Sequence, residues 1–123
     1  MKTEKSIEEV LQEEFFREKA AVLCRATEKL EVSLKRLTVI DNHITEFCSA
    51  ETERELNSLR NTGNIDLKQL NEEIDTFNKV REEVKLCYYY LIVTREALGL
   101  RKHHWIEECY QIPPKKKKYD YNL

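Results

Sequence analysis

Apolar side chains return every seventh position along two long stretches of this chain. Phe16, Leu23, Leu30, Leu37 and Ile44 form one series, with Ala26, Ile40 and Phe47 on the alternate positions. Leu70, Phe77, Val84, Leu91, Leu98, Trp105 and Ile112 form the second. A seven-residue apolar period marks helices that pack along a narrow seam. The pattern therefore predicts two long helices.

The punctuation between the two series agrees. Ser6-Ile7-Glu8-Glu9 reads as a capping box, in which the Ser6 hydroxyl takes the Glu9 amide and the Glu9 carboxylate reaches back. No glycine or proline follows until Asn61-Thr62-Gly63-Asn64, where Gly63 suits the left-handed position that closes a helix. Asp66 is the expected N-cap of the second helix, with Gln69 as its box partner and Ile65 stapled to Leu70. Pro113-Pro114 supplies the stop. The expected organisation is helix 1 over residues 6–61, a turn at 62–65, helix 2 over 66–112 and a basic disordered tail at 113–123. A short turn makes the helices antiparallel. A register placing Leu37 opposite Leu91 and Ile44 opposite Val84 centres the hairpin on Asn64. The expected fold class is all-α: a long antiparallel helical hairpin, or coiled coil, packing with further helices into a bundle.

Two places strain this scheme. The first seam fails at Glu51 and Ser58, and Thr52-Glu53-Arg54-Glu55 offers a second capping box. A break near Cys48–Thr52 competes there with a four-residue stutter that carries the seam onto Cys48, Leu56 and Leu59. Gly99 falls inside the second helix, where it costs about 1 kcal/mol relative to alanine. The unshifted passage of the seam from Leu98 to Trp105 favours continuity.

Residues 86–93, Leu-Cys-Tyr-Tyr-Tyr-Leu-Ile-Val, are apolar or aromatic at every position. Eight such residues cover all faces of a helix, more than one seam can bury. Leu86, Tyr88, Tyr89, Tyr90, Ile92 and Val93, with Val39 on the facing level of helix 1, are therefore candidates for a partner interface.

Composition narrows the class without naming an activity. Charged residues make up 36% of the 123 positions, against two glycines and two prolines, the balance of long helices rather than of turn-rich sheets. The net charge of −2 exerts no global pull toward a polyanion. No apolar run is long enough to span a membrane, and the charged start lacks a secretory apolar core. The four cysteines have no Cys-x-x-Cys spacing, so free thiols in an intracellular compartment, cytoplasm or nucleus, are expected. Two glycines cannot build a phosphate-binding loop, and no nucleophile elbow or His-Glu-x-x-His pattern is present.

The densest chemistry is His103-His104-Trp105-Ile106-Glu107-Glu108-Cys109. A zinc site drawing on Cys24, a histidine and a glutamate is conceivable. The favoured reading is structural: Trp105 packs in the seam at the level of Leu23 while both histidines face solvent. No catalytic, cofactor-binding or metal-binding residue is assigned, and no small-molecule substrate is expected. Lys115, Lys116, Lys117 and Lys118 are candidates for gripping a polyanion or an import receptor. Tyr119 and Tyr121 beside them are possible phosphorylation sites. The expected function is that of a non-enzymatic structural or adaptor subunit, joined to protein partners or to itself by helix packing. A polyanion-binding module for nucleic acid or microtubule surfaces is the alternative, and a small metal- or thiol-dependent enzyme a distant third.

Overall fold

A computed structural model describes residues 6–57 and 63–119, with side chains placed at 6–49 and 67–119. The described residues form three helices: α1 (Ile7–Asn57), α2 (Gly63–Ala97) and α3 (His104–Cys109). The two long helices pack on each other as a hairpin. Their antiparallel sense follows from cross-helix pairs: Lys19 reaches Leu98, Arg36 reaches Glu83 and His43 reaches Glu73. No helix among the described residues is long and apolar enough to cross a membrane.

Ser6 caps α1 as its sequence implies, its hydroxyl accepting the Glu9 amide at 3.2 Å. α1 then runs unbroken through Cys48–Thr52, so the second capping box is not used. Phe47 of the alternate seam and Cys48 of the expected stutter both pack against the core there; the Leu56 side chain and Leu59 lie outside the described residues. The core is the double seam. Leu30, Leu37 and Ile44 of α1 meet Leu70, Ile74, Phe77, Val80, Val84 and Leu91 of α2. Burying each such side chain contributes roughly 1.5–3 kcal/mol, which is what holds long helices together in water.

Three expectations about the hairpin need correction. α2 begins at Gly63, so Gly63 does not close α1 and Asp66 is not an N-cap; Asn61 and Thr62 lie outside the described residues. The register also differs. Arg36 meets Glu83 and His43 meets Glu73, so Leu37 and Ile44 do not face Leu91 and Val84. A strictly periodic seam matches apolar to apolar at several offsets, and only the position of the turn selects one.

The third correction is the largest. The second helix does not reach Ile112; α2 ends at Ala97. Gly99 adopts φ +88°, the left-handed conformation, and the Gly99 amide donates to the Glu96 carbonyl at 3.0 Å. The Leu100 amide donates to the Arg95 carbonyl at 2.8 Å. These two bonds make a Schellman cap, with glycine where a side chain would be strained. The chain then turns back as α3 and an extended strap, residues 110–119. Phe16, expected in the seam, consequently lies beyond the end of α2 and is exposed.

Candidate protein-interaction surfaces

The helix stop at Gly99 changes the role of every residue after it. Ile106, not Trp105, is the buried anchor of α3: Ile106 is 2% exposed and Trp105 48%. Trp105 lies beside the Arg95 guanidinium, 5.2 Å from its ring centroid. Arg95 is itself buried, an expensive place for a charge, and two of its donors find acceptors. Its Nη2 donates to the Lys102 carbonyl at 2.9 Å and its Nε to His103 Nδ1 at 3.2 Å. Because a guanidinium only donates, His103 Nδ1 must accept, and the ring proton sits on Nε2, 3.3 Å from Glu96 Oε1. His103 is thus a link in an Arg95–His103–Glu96 chain rather than a solvent-facing side chain; His104 is exposed. Among the described residues, no three of His, Cys, Asp and Glu gather in a metal-binding group.

α3 also reaches α1. The Tyr110 hydroxyl donates to Glu31 Oε1 at 2.7 Å. That bond, with partial desolvation and the nearby negative charges of Glu31 and Cys109, pushes the phenol up to about 12. Tyr88 is raised by burial first and by the Glu107 charge second.

Residues 113–119 are not a free tail. They run antiparallel to α2, held by side chains that the apolar pattern does not reveal. Arg81 Nε donates to the Pro113 carbonyl at 2.7 Å. The Asn78 amide clamps Lys116, donating to its carbonyl at 2.9 Å and accepting its N–H at 3.0 Å. Asn71 does the same for Tyr119, at 2.9 and 2.8 Å. The spacing explains the fit: seven residues of helix rise about 10.5 Å, and three residues of extended chain span about 10 Å. Each asparagine directly follows a buried seam residue, Leu70 or Phe77. Asparagine is a poor helix former whose amide competes for backbone partners. Two of them at heptad spacing beside a seam are the sequence signal for a docked strap.

The lysines follow from that clamp. Lys116 Nζ pairs with Asp41 on α1 at 2.8 Å and lies 4.9 Å from the Phe77 ring centroid. Lys118 pairs with Asp75 at 3.0 Å. Lys115 and Lys117 are exposed. Half of the basic cluster is thus engaged within the chain, and the cluster presents less charge to a polyanion than four free lysines would.

Strap and α3 cover one side of the hairpin. The opposite side carries a shallow open groove between α1 and α2, floored by Val22, Ala26 and Cys87 and flanked by Arg25, Lys29, Glu28 and the Arg36–Glu83 pair. Along the outer face of α2, Leu86, Tyr89, Tyr90 and Val93 are exposed, as is Val39 on α1. Tyr88 and Ile92 are half-buried and pack against the core. The eight-residue apolar run therefore divides. Leu91 fills the seam, Cys87, Tyr88 and Ile92 support it, and the other four form a second stripe at positions i, i+3, i+4 and i+7. No protein-family model matches this chain, no curated protein matches it, and no solved structure matches it.

Proposed function

We propose that this chain is a non-enzymatic structural or adaptor subunit that joins a larger protein assembly by helix packing. The observation that carries this reading is the second stripe on α2. Leu86, Tyr89, Tyr90 and Val93 stand on the face of α2 turned away from Val84 and Leu91, at the spacing one helix offers another. Their rings and branched side chains supply large contact area, and tyrosine tolerates both water and an interface. A stripe of this kind on a two-helix scaffold is suited to receiving a partner helix, with the hairpin as a rigid spacer. α1, at 51 residues, is about 77 Å long at 1.5 Å per residue.

The test compares the full chain with a Tyr89→Glu, Val93→Glu variant. Both are used to capture protein from extracts of the native cell, and the captured partner is then purified and titrated against each. The partner is expected to lose at least about tenfold in affinity for the variant, while helicity and melting stay within the range typical of surface changes. Equal binding by the two chains would remove the α2 stripe as the docking surface, and with it the main support for the adaptor reading.

A further inference from the structure

Residues 7–18 of α1 project past the end of α2, where Lys19 meets the Leu98 carbonyl, and they are exposed on every side. They nonetheless carry Ile7, Leu11, Phe15 and Phe16, all more than half exposed. A lone helical extension with apolar side chains in water is unfavourable, since burial of an apolar face supplies most helix stability. One face of this extension reads Ile7, Leu11, Glu14, Glu18, Val22 at steps of three and four residues. The same face continues beyond it as Arg25, Lys29, Val32 and Arg36, the wall of the open groove. Its first half is acidic and apolar; its second half is basic and apolar.

We infer that two copies of the chain pair antiparallel through this face of α1, each copy's overhang lying along the Arg25 and Lys29 wall of the other's groove. One register satisfies every position. With Glu18 beside Arg25 of the second copy, Glu14 falls beside Lys29, Leu11 beside Val32, and Ile7 beside the aliphatic stem of Arg36. The two-fold axis then passes between Ala21 and Val22. The contact is isologous, so each pair occurs twice. Its length, residues 7–36, is about 45 Å at 1.5 Å per residue. Parallel pairing of the same face would set Glu14 against Glu14 and Lys29 against Lys29, so charge excludes it. The groove side adds Cys87 and Tyr90 of α2 as a floor for the incoming helix. Tyr90 belongs to both the groove and the outer stripe on α2, but Tyr89 and Val93 lie outside the groove lining, so changes at those two test the docking surface without altering the dimer contact.

Charge reversal on the full chain tests this. Sedimentation equilibrium is expected to show a dimer for the unaltered protein at tens of micromolar. Glu14→Lys with Glu18→Lys should weaken self-association at least tenfold, and Arg25→Glu with Lys29→Glu should do the same. All four side chains are exposed, so helicity should be unchanged in both. Mixing the two variants should restore a one-to-one dimer, because each reversed half then meets its complement. Tyr89→Glu with Val93→Glu should leave the dimer constant unaltered. A monomeric unaltered protein, a dimer constant indifferent to either reversal, or a mixture that stays monomeric overturns the inference. So does an overhang that is protected from proteolysis only by some other protein. None of these results touches partner capture by the α2 stripe.

Discussion

At the scale of single residues, the segment His103–Cys109 shows how one backbone decision reassigns side chains. Read as continuous helix, it puts Trp105 in the seam. With α2 stopped at Ala97, the new helix turns Ile106 inward and leaves Trp105 against Arg95 on the surface. The energies should follow burial rather than size. Ile106→Ala is expected to cost about 2–3 kcal/mol, the low end for a buried aliphatic because α3 is a short peripheral element. Trp105→Ala should cost about 1 kcal/mol, the value of a partly exposed cation–π contact. Equilibrium denaturation of the two variants checks this, and the reverse order of costs would restore Trp105 to the core. The segment's histidines were legible as residue types but not as roles. Nothing in the spacing shows that buried Arg95 occupies Nδ1 of His103, because that contact depends on the chain reversing direction at Gly99.

At the scale of elements, the apolar period was sound where both helices exist and misleading where one ends. Leu30, Leu37, Ile44, Leu70, Phe77, Val84 and Leu91 are all buried, as their heptad spacing implies. Leu98, Trp105 and Ile112 continue the same count, yet none lies in α2: Leu98 is in the turn after it, Trp105 in α3 and Ile112 in the strap. Period alone cannot distinguish a seam from a coincidence once the backbone departs from the helix. Gly99 was the contrary signal. It can be tested by sign rather than size. A glycine inside a helix is improved by alanine by about 1 kcal/mol. At φ +88° the same change strains the backbone and should destabilise by about 1 kcal/mol. No atom lies within 4 Å of the added methyl, so the cost is conformational and not steric. Stabilisation of Gly99→Ala in chemical denaturation would show that α2 and α3 are one helix.

At the scale of the whole molecule, the hairpin and its antiparallel sense follow from the two seams and the short connection between them, whereas the third layer does not. The strap packs Tyr110 and Ile112 against the core, and from Pro113 onward it relies on paired polar contacts. Those are invisible to a hydrophobic pattern, though the two asparagines beside Leu70 and Phe77 announce them. Its consequence is mechanical. The strap ties α2 to α1, because Asn71 and Asn78 hold its backbone while Lys116 reaches Asp41 across the seam. A free basic tail and a docked strap respond differently to the same changes. Replacing Asn71 and Asn78 by alanine removes four hydrogen bonds, each worth about 0.5–1.5 kcal/mol net, so undocking should become easier by about 2 kcal/mol or more. Trypsin should then cut at Lys115–Lys118 at least about tenfold faster, with the helical signal of α1 and α2 retained. Lys118→Gln is the matched control: its partner Asp75 and its own ammonium are about half exposed, and such a pair contributes little. That variant should be cut at the remaining lysines nearly as slowly as the unaltered chain. If all three proteins are cleaved at one rate, the asparagine clamp does not hold the strap, and residues 113–119 behave as the free lysine-rich end that composition alone implies.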